Sequence, residues 1–185
     1  LKKYSMGEVG DRMILKIIGC ILIIGSTTIM GYSLANKYAK RPEELRALQA
    51  ALQMLEAEIV FSVNPLPDAF EKISRYVPES IKQIFEYSSH LLKQRTGMTA
   101  REAWALSINK LSRDMHLQKE DKEILIAFGN SLGCSDRENQ IKNIHLACSK
   151  LSMEEKKAEV LKEKNERLYK NLGLLGGLLI ALLLI

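Results

Sequence analysis

The chain has few of the residues that usually carry chemistry. Its three cysteines, Cys20, Cys134 and Cys148, form no Cys-x-x-Cys pair, and its three histidines, His90, His116 and His145, fall on different predicted helices or loops. Neither set has the spacing of a zinc site. There is no Gly-x-x-x-x-Gly-Lys phosphate loop and no Gly-x-Ser-x-Gly elbow, which excludes nucleotide or ester hydrolysis by those routes. No alternating apolar and polar run reaches the length of a useful strand. Glu56 and Glu58 look like an acid/base pair, but two residues apart on a helix they point about 200° from each other, as solvated or salt-bridged carboxylates do. Trp104 reads as core rather than as a platform for a ligand. No catalytic residue, cofactor or metal is therefore expected, and the chain is read as a non-enzyme.

What the sequence does have is two long apolar stretches. Residues 13–35 carry one charge, Lys16, and at ~1.5 Å per residue reach across a ~30 Å hydrocarbon layer. A cleaved signal peptide is the rival reading, but the apolar run is long for one and no clean small-x-small site follows. Residues 172–185 carry no charge and give roughly 21 Å of helix. A core helix needs a polar face and this run has none, so a short C-terminal anchor is expected, with Lys170 snorkelling to the interface. Gly173, Gly176 and Gly177 offer a small-residue surface for close helix approach, at loose spacing. Residues 1–12 are polar and stop just before Met13; they read as an upstream extension or a disordered leader.

Basic residues set the orientation. Lys37, Lys40, Arg41 and Arg46 follow the first apolar segment, Lys162, Lys164, Arg167 and Lys170 precede the second, and nothing basic comes after it. The positive-inside rule then places residues 37–171 in the cytoplasm, where Cys134 and Cys148 stay reduced. The net charge of +5 owes much to these flanking residues, so it speaks for membrane anchoring more than for nucleic acid.

Between the anchors the chain reads as six helices. Pro42 followed by Glu43 and Glu44 suits a helix start, and Leu45, Leu48, Leu52, Leu55 and Ile59 make one apolar stripe to about Phe61. A short helix begins near Pro67 and another at Pro78, carrying Ile81, Ile84, Phe85, Tyr87, Leu91 and Leu92. Thr99 and Glu102 form a capping box for a fourth, with Trp104, Ala105, Ile108 and Leu111 inward. A fifth is expected from about Gln118 to Leu132, ended by a left-handed Gly133. Ser135 and Glu138 supply a second box, and Ile141, Ile144, Cys148, Leu151, Ala158, Leu161 and Leu168 continue a stripe, interrupted near Met153–Lys157, into the C-terminal anchor. The expected fold is all-α: a six-helix bundle flanked by an N-terminal and a short C-terminal transmembrane helix.

Several ordered motifs resemble one family. They are Arg41-Pro42-Glu43-Glu44-Leu45-Arg46, Leu52-Gln53-Met54-Leu55-Glu56-Ala57-Glu58-Ile59, Pro65-Leu66-Pro67-Asp68-Ala69-Phe70, and Leu132-Gly133-Cys134-Ser135-Asp136-Arg137-Glu138-Asn139-Gln140, followed by the apolar end after Leu172-Gly173. Together they resemble the stage III sporulation protein AB family of endospore-forming bacteria, over residues 13–185. The resemblance implies a component of a secretion-like channel complex joining mother cell and engulfed forespore. It also implies a bundle similar to the F domain of the inner-membrane platform protein of type II secretion and type IV pilus machines. The implied partners are a cytoplasmic secretion-type ATPase and other membrane components of the channel; the apolar segments add the lipid bilayer, no nucleic acid is expected, and a homo-oligomer is left open by the sequence. The expected location is the mother-cell membrane around the forespore, multi-pass.

For partner binding, the sequence reading selects Arg41 and Arg46 beside the membrane, and Asp136 and Arg137 near helix ends. The competing reading is a membrane-tethered basic protein that binds nucleic acid or anionic lipid. The interleaving of Lys and Arg with Asp and Glu between residues 43 and 155 argues against a contiguous basic face.

Overall fold

The computed structural model describes residues 4–61, 64–94, 97–133 and 136–184, in six helices and no strand among them: α1 Tyr4–Phe61, α2 Leu66–Ser74, α3 Glu79–Lys93, α4 Ala100–Leu111, α5 Lys119–Gly129 and α6 Arg137–Leu184. The all-α six-helix expectation holds. The thiol of Cys134, the Ser135 end of the second capping box, and residues 1–3 lie outside the described residues, as does the side chain of Lys170.

Two compact units form. One is Lys40–Glu159, and the other gathers the flanking stretches up to Ala39 and from Val160 onward. Bundle and flanks were expected to meet at residues 37 and 171. α6 runs unbroken through residue 171, as the sequence leads us to expect, and α1 runs unbroken through residue 37. Pro42, read as a helix start, lies inside α1, where the missing N–H leaves the Tyr38 carbonyl without its helical donor. α1 begins at Tyr4 and so takes in part of the stretch before Met13.

In the Lys40–Glu159 unit the apolar stripes meet as the spacing predicts. Leu45, Leu48, Leu52 and Leu55 of α1 are fully buried, against Phe70 and Ile73 of α2, Ile81, Ile84 and Phe85 of α3, and Leu125 and Phe128 of α5. Each such side chain contributes about 1.5–3 kcal/mol by leaving water. Trp104 sits at the centre, 5.4–5.6 Å ring to ring from Phe70, Phe85 and Phe128. Its indole Nε1 donates to the Leu125 carbonyl at 2.8 Å, which satisfies the polar end of a buried ring.

The inward face of α4 differs from expectation. Ala103, Trp104, Ser107 and Ile108 are buried, whereas Ala105 is only partly so. Ser107 makes the inward position tolerable, because its hydroxyl donates to the Ala103 carbonyl and accepts from Ser88 of α3, each at 2.8 Å. The helix starts follow their caps. The Thr99–Glu102 box is formed, Pro78 caps α3, and α2 begins one residue before Pro67. α5 stops at Gly129, earlier than expected, and the chain turns through Gly133, which is left-handed at φ +74°.

Candidate functional site

The polar groups of the bundle concentrate where α1 meets α5 and α6. Arg41 is 6% exposed and Asp121 fully buried. The Arg41 Nε donates to Asp121 Oδ2 at 2.9 Å and its Nη2 to Oδ1 at 2.8 Å, while Nη2 also reaches Glu154 Oε2 at 3.2 Å. A guanidinium matches a carboxylate in this two-pronged way, and burial makes the pairing obligatory. The hydrogen bond from Arg41 to Asp121 raises the Arg41 pKa, outweighing the opposing effect of burial. Asp121 also caps its own helix, accepting from Gln118 N at 2.8 Å.

One turn along α1, Glu44 takes the backbone N–H of His116 at 2.8 Å and its ring Nδ1 at 3.0 Å. Arg41 and Glu44 thus hold the α4–α5 connection and the start of α5 against α1. Arg46, further round the helix, is largely exposed and reaches Glu155 at 2.7 Å and Glu159 at 2.6 Å, and Gln49 adds a donor to Glu155 at 2.6 Å. These bonds account for the interruption in the α6 stripe. Glu154 and Glu155 replace apolar residues there because arginines of α1 lie opposite.

The four residues selected from the sequence do not form one surface. Arg41 faces inward with its guanidinium engaged, a placement that fastens the bundle and leaves little to offer a partner. Arg46 lies at the surface but is paired. Asp136 is the cap of α6, its Oδ1 accepting from Asn139 N at 3.0 Å. Arg137 is exposed and borders a depression of about 350 Å³ with Glu58, Asn64 and Leu66. That depression also includes Ile59, 18 residues along α1 from Arg41, or roughly 27 Å of helix. Sequence reading missed Asp121, Glu44 and Glu154. The only signal was Asp121 in a capping position, and no local pattern reveals a partner 80 residues away.

Other polar candidates resolve into structural pairs. Glu56 meets His145 at 2.8 Å and Glu58 meets Lys72 at 2.5 Å, as expected for two carboxylates on different faces. Among the described residues no group of three His, Cys, Asp or Glu is placed to hold a metal ion. Burial, and then the charge of Glu56, push the Cys148 thiol pKa up.

In the flanking unit, Gly31, Gly173 and Gly177 make a close seam. A Cβ on Gly31 would lie 2.6 Å from the Tyr169 carbonyl, one on Gly173 2.9 Å from the Thr27 carbonyl, and one on Gly177 2.4 Å from Thr27 Oγ1. Gly173 and Gly177 are four apart on one face, so the spacing is tighter in effect than it looked. Gly176 meets nothing. Tyr38 and Tyr169 stack 5.7 Å apart beside the seam. Among the described residues one helical stretch, within Ile18–Phe61, is long and apolar enough to cross a membrane.

Comparisons with known proteins agree with this architecture. The family model described as stage III sporulation protein AB matches residues 16–185. Stage III sporulation protein AB of Bacillus subtilis (strain 168) is 39% identical over 170 residues, covering 92% of this chain and 99% of that protein. A solved structure of a stage III sporulation protein AB superposes with a TM-score of 0.64 at 35% identity, covering 68% of this chain and 98% of that one. The chain belongs to the stage III sporulation protein AB family.

Proposed function

We propose that the chain is a non-enzymatic membrane platform of a secretion-like channel between mother cell and forespore, and that its Lys40–Glu159 bundle docks a cytoplasmic secretion-type ATPase. The observation that carries this reading is the way the bundle spends its charged groups. Arg41 bonds to Asp121 and Glu154, and Glu44 to His116, so these groups tie one element to another instead of converging on a cavity, which fits a scaffold better than a reaction site. Family membership supports the sporulation role.

Both terminal segments act as membrane helices in this reading. Ile21, Leu22, Ile29 and Met30 on one, and Leu175, Leu179, Leu182 and Leu183 on the other, point outward, as lipid-facing residues do. The glycine seam supports their pairing within the bilayer, where close backbone approach supplies the packing that a hydrophobic drive cannot. The C-terminal helix, short for a lone crossing, then gains from its neighbour. The basic residues next to both segments support a cytoplasmic bundle.

The test is a titration of the full chain, in nanodiscs of zwitterionic lipid, with the purified secretion-type ATPase across a range of salt. Saturable binding supports the platform reading. Absence of binding by a folded, correctly inserted chain overturns it.

A further inference from the structure

The charged residues of α6 are sorted by side. Between Arg137 and Glu159 the helix carries four carboxylates, of which Glu154, Glu155 and Glu159 are bonded to Arg41 and Arg46 of α1. The fourth, Glu138, belongs to the first turn. The lysines are left outside. Lys142, Lys150 and Lys157 are exposed, and Lys142 and Lys150 have no ion-pair partner among the described residues, while Lys157 meets Glu154 at 2.6 Å.

Between these lysines the same face carries two large apolar side chains that the described residues leave more than half exposed. Leu146 is 52% and Met153 60% exposed. They are seven residues apart, so they stand one above the other on the helix. Lys142 lies four before Leu146, Lys150 four after it, and Lys157 four after Met153, which makes them all neighbours on that face. Leu146 also borders a small crease against α5, of about 50 Å³, lined by Ile124, Ala127, Asn143, Ala147 and Lys150. Lys150 is the one charge on its wall. A lone exposed leucine needs no explanation, but an apolar pair at heptad spacing, with cations at each helical step and the neighbouring Glu154 and Glu155 bonded to arginines of α1, is an ordered surface.

We infer that this face of α6, with Leu146 and Met153 at its centre and Lys142, Lys150 and Lys157 around them, receives an acidic amphipathic helix of the ATPase. The inference rests on the platform reading and gives it a location, away from the four residues selected from the sequence. A partner helix lying alongside α6 matches the seven-residue spacing of the apolar pair. Charge complementarity fixes the sign of its flanks, because three lysines beside a desolvated seam favour carboxylates and repel cations. The crease beside Leu146 accepts one small apolar side chain of that helix.

The test repeats the nanodisc titration with K142E/K150E, with Met153→Asp, and with Lys150→Arg as the conservative control, each checked for an unchanged melting temperature. All three positions are exposed, so the bundle tolerates the changes. The expected result is a loss of about tenfold or more in ATPase affinity for the first two, strongest at low salt, and wild-type affinity for the arginine variant. If the wild-type chain binds and all variants bind equally, the face is not the docking surface and the platform reading stands without it. If the wild-type chain does not bind, both fall. Two further arms use the same variants: charge-sensitive binding to phosphatidylglycerol vesicles without ATPase binding makes the occupant a membrane, and charge-sensitive dimerisation makes it a second copy. Either result overturns the assignment to a partner helix.

Discussion

Arg41 and Asp121, 80 residues apart, form a buried two-pronged ion pair at 2.9 and 2.8 Å that fastens the start of α5 to α1. Replacing Arg41 with alanine leaves the Asp121 carboxylate buried and uncompensated. The expected cost is about 3–5 kcal/mol, read from urea unfolding followed by circular dichroism. The double variant R41M/D121N keeps an oxygen to cap Gln118 and removes both charges, so it recovers a large part of that loss. Equal instability of the single and double variants would mean that packing, not charge, holds this corner.

Gly129 is required by its neighbour. A Cβ there would lie 2.4 Å from Trp104 Cδ1, and the ring has no space to retreat among Phe70, Phe85 and Phe128. Gly129→Ala is expected to destabilise the bundle by about 1–3 kcal/mol through overpacking and to shift the tryptophan fluorescence. An unchanged melting temperature and emission spectrum would contradict the packing described here.

The glycine seam gives a contrast within three residues of sequence. Gly173→Leu and Gly31→Leu place side chains where backbone now stands and are expected to lower the melting temperature of the full chain in detergent. Gly176→Leu, with open space around it, leaves the temperature unchanged. If all three behave alike, these helices do not meet through that face.

Acid weakens the bundle with a definite sign. The Glu154 pKa is held below the ordinary carboxylate range, chiefly by the hydrogen bond from Lys157 and then by Arg41. In that interval the unfolded chain binds more protons than the folded one, so stability rises with pH. The Glu154 contribution is complete above the ordinary carboxylate pKa and is lost as pH falls through the lowered one. Unfolding midpoints measured from neutral pH downward are expected to drop in this window, and Glu154→Gln to flatten the drop. A variant with the same acid limb as the parent would assign the effect elsewhere.

Cys148 is half-buried, with its thiol pKa raised by burial and by Glu56. In a C20S/C134S background, maleimide labelling at neutral pH is expected to be slow in the folded protein and fast in urea. Rapid labelling of the folded chain would contradict the placement of that thiol, whose Sγ lies 3.9 Å from the Gln49 carbonyl of α1.

The legible parts of the fold were those written locally. The Leu45–Leu55 stripe, the Thr99–Glu102 box, the left-handed Gly133 and the buried Trp104 each depend on residues within a turn or two, and each was found. Pro42 misled because proline suits a first turn, yet a long helix tolerates the loss of one hydrogen bond when tertiary contacts hold both sides. Ala103 and Ser107 were passed over for Ala105, since a serine paired to Ser88 behaves as an inward residue only once α3 is beside it. The candidate site was less legible still. Arg41 stands in a basic cluster next to an apolar segment and reads as surface charge, and its burial depends on Asp121 and Glu154, which local spacing does not connect to it. The apolar pair Leu146 and Met153 was hidden by the opposite bias, because exposed side chains on an amphipathic helix become noticeable only when the buried face is known.

The central claim, that this membrane-held bundle recruits a secretion-type ATPase, is tested most directly by flotation. Proteoliposomes of zwitterionic lipid carrying the full chain are mixed with the purified ATPase and centrifuged through a density gradient. The account predicts that the ATPase rises with vesicles that contain the chain and stays below with empty ones. An ATPase that stays at the bottom in both, with the chain folded and its bundle outward, would contradict it.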